Sequence, residues 1–365
     1  MFKRILVTPV LLVLIITSCY TVPGHLEKFL IKKSELNLRY SHGPADRRLF
    51  FQNVNISPEQ WKIKVKEKLR ELLKISEVSR GEVKVLREII FQGITIRALV
   101  MTVDDNLSIP AYLLTPDPTK SLKSAVMAIH EHGYVEPTIG LRDDYHHFFA
   151  LELAKDGHLV LAPELRGFST LIDLAENIEI NRLDYWNHKQ FTLVTDGFLY
   201  GNTLIGETVE DLLRWEEWLA ETYNIKELDV AGISYGGDLS IIYPVFSSRI
   251  RKIFASGTLG SFSVIFQRCY NAPAHCIPGV LKWMDRSDIA GLNVPRPILL
   301  HYGELDTPST TNHSAAFNET VPQSIKELKE IYKAFGAKDD AVQLVVTPDK
   351  HHEMDIPRLL EFLNF

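Results

Sequence analysis

Beyond Lys120 the chain alternates apolar runs of strand length with stretches whose apolar positions return at helical spacing. Strands are predicted at Ala125–Ile129, Leu159–Ala162, Leu228–Ile233, Ile253–Ser256, Pro297–Tyr302 and Val342–Val346. Helices are predicted around them near 143–155, 208–221, 236–248, 322–335 and 357–364. Strands that are apolar almost throughout, separated by helices, imply a mostly parallel central sheet covered by helices on both faces. The fold class is therefore α/β.

Upstream the pattern changes twice. Ser57-Pro58-Glu59-Gln60 supplies an N-cap, a proline at the first helical position and a capping-box glutamine, which predicts a helix to about Ile75. From Val83 to Leu114 apolar residues alternate, with a turn at Asp104-Asp105-Asn106, as in an antiparallel meander. Residues 20–56 show little periodicity and read as a tether and surface wrap. The expected division is a signal peptide over 1–18, a tether and N-terminal helical segment over 19–80, and a main α/β domain over 81–365. No internal repeat is visible.

Composition adds constraints. With 45% hydrophobic and 24% charged residues among 365, the chain can bury a large core. A formal charge of -6 argues against a nucleic-acid partner, which would require a basic excess. Lys3 and Arg4 precede an apolar stretch from Ile5 to Ile16 that is too short for a comfortable membrane span. Ile16-Thr17-Ser18-Cys19 resembles the lipobox of bacterial lipoproteins. That resemblance implies a lipid on Cys19 and a place at the bacterial cell envelope, in the periplasm or at the outer membrane; an uncleaved anchor or a plain signal peptide are the alternatives. With Cys19 acylated, Cys269 and Cys276 are left as a couple, and an oxidising compartment favours a disulfide between them. Two buried thiols are the other reading.

Gly232-Ile233-Ser234-Tyr235-Gly236-Gly237 directly follows a predicted strand and opens a predicted helix. In that setting G-x-S-x-G places a serine on a tight turn with its hydroxyl exposed, whereas elsewhere a serine would merely cap the helix. A hydroxyl is a weak nucleophile at neutral pH, so Ser234 needs a histidine to take its proton and a carboxylate to orient that histidine. Asp306 stands just after the strand Pro297–Tyr302, with Glu304 as fallback. Asp349-Lys350-His351-His352-Glu353 follows the last strand; His352 is the preferred base and His351 the alternative.

A developing oxyanion needs two converging N–H donors. Tyr235, after the nucleophile, gives the first; the second is expected from the loop His130-Glu131-His132-Gly133-Tyr134, whose His-Gly-Tyr resembles the His-Gly-Gly or His-Gly-Tyr loop of esterases, a resemblance that implies the Tyr134 N–H. His130 and His132, with His146 and His147, could instead hold a metal, but no H-E-x-x-H or cysteine pair accompanies them, so no metal is expected.

These residues resemble the alpha/beta-hydrolase superfamily, in particular its acetyl xylan esterase and dienelactone-hydrolase-like branch. The resemblance covers roughly residues 57–365. Beyond the triad it rests on His132-Gly133-Tyr134, on Leu161-Ala162-Pro163-Glu164-Leu165-Arg166-Gly167-Phe168, on Gly206 with Glu210-Asp211-Leu212-Leu213-Arg214, and on Ile277-Pro278-Gly279 leading to Pro295-Arg296-Pro297. Relatives often carry Asp where Glu164 stands. The resemblance implies hydrolysis of carboxylic esters through an acyl-serine without a cofactor, on a small-molecule or saccharide ester, and leaves oligomeric state open. A prolyl-oligopeptidase-like peptidase and a non-catalytic binding lipoprotein are the competing readings. The long segment from Gly167 to Gly206, and Phe262 to Trp283, are expected to wall the substrate pocket.

Overall fold

The computed structural model describes residues 46–116, 122–168, 185–264, 273–310 and 315–365, with side chains of the helix beginning at Tyr185 described from Thr192 onward. Cys19 and Cys269 lie outside these residues. The chain divides into two units, and everything described belongs to the one spanning His42–Phe365. No described helix is long and apolar enough to cross a membrane.

The first helix, α1 (Pro58–Leu73), begins with the expected capping box: the Ser57 hydroxyl accepts from the Gln60 N–H while the Gln60 side chain accepts from the Ser57 N–H. Its buried stripe, Trp61, Val65, Leu69 and Leu73, joins the main core cluster. Ahead of it, Arg47 is buried and bonded to Asp288 and Glu327, which fixes the incoming segment to the body.

The strands β1 (Glu82–Phe91), β2 (Ile94–Asp104) and β3 (Leu107–Thr115) form the predicted antiparallel meander. Gln92 and Gly93 both have positive φ, which suits a two-residue turn to the twist of the flanking strands. Six parallel strands follow: β4 (Ala125–Ile129), β5 (Leu159–Pro163), β6 (Leu228–Ile233), β7 (Ile250–Ser256), β8 (Ile298–Gly303) and β9 (Val342–Thr347). The described sheet has nine strands in the order β1-β2-β3-β5-β4-β6-β7-β8-β9. β4, β5, β6 and β8 are buried at every position, and separate apolar clusters lie on the two faces of the sheet.

The remaining helices are α2 (Glu136–Ile139), α3 (Phe149–Lys155), α4 (Tyr185–Tyr200), α5 (Leu204–Tyr223), α6 (Tyr235–Ile242), α7 (Arg286–Gly291), α8 (Val321–Ala334) and α9 (Ile356–Asn364). The helix expected from 143 starts only at Phe149, because the Asp144 side chain caps a turn at the His146 N–H and His147 and Phe148 take positive φ. The expected Cys269–Cys276 pairing involves Cys269, which lies outside the described residues. Cys276 is a free, partly buried thiol packed against the main core, where burial raises its pKa, and it behaves as a small hydrophobe.

Candidate active site

The site gathers at the carboxyl ends of adjacent parallel strands, where the loops of an open α/β sheet converge. Ser234 sits between β6 and α6 with φ 57 and ψ -115, a conformation that non-glycine residues rarely adopt. Its surroundings enforce this. A Cβ at Gly232 would collide with the Gly236 carbonyl, and one at Gly236 with the carbonyls of Ile129 and His130 at the exit of β4. The Ser234 N–H donates to the Ser256 carbonyl at 2.8 Å, tying the turn to the end of β7.

Asp306 and His352 come together as expected. The Nδ1–H of His352 donates to Asp306 Oδ2 at 2.6 Å, with the Asp306 side chain 1% exposed. Because an ionised carboxylate only accepts, this bond leaves Nε2 as the proton-accepting nitrogen of the neutral ring. Backbone bonds lace the two loops together, from Glu304 N–H to the Thr347 carbonyl at 2.9 Å and from Leu305 N–H to that of Lys350 at 2.8 Å. His351 is exposed, its N–H donating to Glu353 Oε1. Glu304 is also exposed and accepts from the Asp349 N–H. Neither alternative therefore stands in the pairing that Asp306 and His352 make.

Burial disfavours a charged ring at His352, but the Asp306 hydrogen bond and charge, helped by the charge of Glu131, outweigh it and raise the pKa above its ordinary value. The ring lies against Gly257 at the end of β7. Tyr145 packs on it with ring centroids 6.0 Å apart, and the Tyr145 carbonyl accepts from the Met354 N–H.

The loop after β4 lies beside the nucleophile because Ile129 pairs with Gly232 in the β4–β6 register. His130 spends both nitrogens on backbone: Nδ1 bonds the Glu131 carbonyl and Nε2 accepts from the Leu165 N–H. Burial, with the nearby His146, pushes its pKa down to about 3, so it is a neutral structural bracket. His146 accepts the Glu131 N–H, which removes that amide from the oxyanion donors. Tyr134 follows Gly133, whose φ is 120, and its ring faces Arg142. Tyr235 is the first residue of α6, where the N–H has no partner within the helix. Among the described residues no group of three or more metal-ligating side chains converges.

Four site residues were not singled out by sequence reasoning. Glu131 is buried and accepts from His132 Nδ1 at 3.3 Å. Asp238, in the first turn of α6, is buried and bonded to Arg286 at 2.6 Å, to His275 Nδ1 at 2.5 Å and to the Thr258 hydroxyl. Those partners hold its carboxyl well below the usual range against the opposing effect of burial. His275 packs edge-on to Tyr235, and Gly257 makes room for His352. Only Gly257 had a signal, as a glycine just past a predicted strand.

The resemblance motifs find physical roles here. Arg166 makes a two-pronged bond to the buried Asp211 at 2.6 and 3.1 Å and reaches Glu207 at 3.0 Å, pinning the loop after β5 to α5. Of the two expected pocket walls, residues 169–184 and 265–272 lie outside the described set. The described α4 packs against the short turn Pro273–His275.

No protein-family model matches the chain, and no curated protein matches it in sequence. Solved structures do. A protein described as an acetyl xylan esterase, from Bacteroides fragilis NCTC 9343, superposes with a TM-score of 0.66 at 16% identity, covering 87% of this chain and 82% of that one. A glucuronoyl esterase from Solibacter usitatus gives 0.59 at 9% identity over 89% and 97%. Acetyl xylan esterase 1 from Thermoanaerobacterium sp. JW/SL YS485 gives 0.51 at 14% identity over 85% and 95%. In strand order, the turn at Ser234 and overall superposition, the described residues of the unit His42–Phe365 have the α/β-hydrolase fold.

Proposed function

We propose that the chain is a serine carboxylic ester hydrolase acting on esters of saccharides. The observation that carries this reading is the Asp306–His352 hydrogen bond, presented at the ends of β8 and β9 beside the strained Ser234 turn. His352 Nε2 takes the Ser234 proton as the hydroxyl oxygen attacks the ester carbonyl. The N–H groups of Tyr235 and Tyr134 hold the oxyanion. His352 returns the proton to the leaving alcohol, and water, activated by the same nitrogen, then releases the acid and restores Ser234. The saccharide class is supported by the structural neighbours, which are described as acetyl xylan and glucuronoyl esterases.

A fluorophosphonate probe and 4-nitrophenyl acetate test the chemistry together. Wild type is expected to be labelled and to turn over the ester, and Ser234→Ala to lose both, with kcat lower by about 10⁴-fold or more. Equal labelling of the two proteins would refute the assignment. The proposal extends to location: a lipid on Cys19, suggested by the Ile16–Cys19 motif, would place this hydrolysis at a bacterial envelope surface. Metabolic labelling with an alkyne-tagged fatty acid, lost in Cys19→Ala, tests it.

A further inference from the structure

Tyr235, the residue after the nucleophile, carries two imidazoles on its ring. His132 stacks on it with centroids 5.6 Å apart and 26° between planes, and His275 meets it edge-on at 4.9 Å. The two imidazoles are themselves 5.2 Å apart, and Phe168 packs edge-on to His132 at 5.1 Å and against Tyr235 at 5.6 Å. Each is held through Nδ1 by a buried carboxylate, His132 by Glu131 and His275 by Asp238. The carboxylates come from different elements, the β4 exit and the first turn of α6, so the pairs are built independently.

The tautomer of His132 follows from its partner. Burial alone would raise the Glu131 carboxyl, but the His132 hydrogen bond and the neighbouring imidazoles His132, His146 and His352 hold it below its ordinary range. Glu131 is thus an ionised acceptor at neutral pH, and His132 Nδ1 carries the proton. In the neutral form of the ring, with its one proton on Nδ1, Nε2 is an acceptor. Among the described residues that nitrogen is buried and has no hydrogen-bond partner. A buried polar atom without a partner is costly, so a ligand group that donates to it is strongly selected. The donor complementary to such a nitrogen is an alcohol hydroxyl of the kind a saccharide carries.

We propose that the Glu131–His132 pair is a subsite that accepts a hydrogen bond from a free hydroxyl of the saccharide near the scissile ester. His275, bonded to Asp238, packs against both Tyr235 and His132. This rests on the esterase reading and narrows its substrate to partially esterified sugars over fully substituted ones.

The test compares three substrates on the full chain: 4-nitrophenyl acetate, a monoacetylated methyl glycoside with its other hydroxyls free, and the same glycoside with those hydroxyls O-methylated. In wild type, methylation is expected to lower kcat/KM by about tenfold or more. In His132→Phe, which keeps an aromatic ring but removes the acceptor, that penalty is expected to disappear, and the free glycoside to lose ground relative to 4-nitrophenyl acetate. Glu131→Gln, which no longer fixes the tautomer, is expected to shrink the penalty without removing it, and serves alone if His132→Phe does not fold. The same penalty in wild type and in the variants, or none in wild type, overturns the subsite while leaving the esterase intact. Absence of wild-type turnover on 4-nitrophenyl acetate would instead bring down the esterase reading, and the subsite with it.

Discussion

The imidazole of His352 occupies the space into which a side chain at Gly257 would project, and Gly257 holds a φ of +60 that disfavours any other residue. The base is therefore positioned by β7 as well as by its own loop. Gly257→Ala is expected to push the ring away from Asp306 and to lower kcat/KM on 4-nitrophenyl acetate by about 10²-fold, a typical cost for a displacement near 1 Å. A rate within a factor of two of wild type would show that the ring needs no such gap.

The acid limb of kcat/KM should report the environment of His352. Its pKa is held above the ordinary 6.5 because the bond and charge of Asp306, with the charge of Glu131, overcome the opposing effect of burial. The base works in its neutral form, so activity is lost as pH falls through the raised value. The midpoint is expected above 6.5, and Glu131→Gln should move it to lower pH, since one supporting negative charge is removed. A midpoint that stays in place would exclude Glu131 as a contributor.

Ser234 carries backbone strain in the service of reactivity. Residues held in such sparsely populated regions cost about 1–3 kcal/mol, and glycine relieves the cost. Ser234→Gly is therefore expected to abolish labelling yet raise the free energy of urea unfolding by about 1 kcal/mol. A destabilised variant would mean that the hydroxyl contributes more to the fold than the strain removes.

Asp238 behaves as a buried keystone charge. Removing one partner of a buried ion pair costs about 3–5 kcal/mol, because the other is left uncompensated. Asp238→Ala strands Arg286 and frees both His275 and Thr258, so it should destabilise by that order in urea unfolding. Asp238→Asn, which keeps part of the hydrogen bonding, should cost less. Equal stability of Asp238→Ala and wild type would remove the cluster from the account of how the pocket wall is held.

The sheet was legible because its parallel strands are buried on both faces and must be apolar almost throughout, as in Ala125–Ile129 and Leu228–Ile233. Ser234 and Asp306 were legible as candidates because each sits just past such a run, and His352 because it follows the last strand. The Asp306–His352 pairing then distinguishes between two adjacent histidines that sequence alone left open. What sequence hid depends on contacts between distant segments. Asp238 reads as an ordinary residue in the first turn of a helix until Arg286, 48 positions away, closes on it. Glu131 reads as a loop acid until His146, 15 positions on, accepts its N–H and helps to bury it. The helix α7 is six residues long and carries no periodic signal, only the reciprocal caps of Asp285 and Asp288.

The strand that delivers His352 is β9, at the very edge of the sheet and half exposed along its length, whereas Ser234 hangs from β6 near the centre. Edge elements open with less free energy than central ones. Fraying of residues 342–364 would carry the base away while the nucleophile turn and the core strands stay in place. Durability of activity and durability of fold are thus properties of different parts of one sheet, and on heating the first should fail while the second persists.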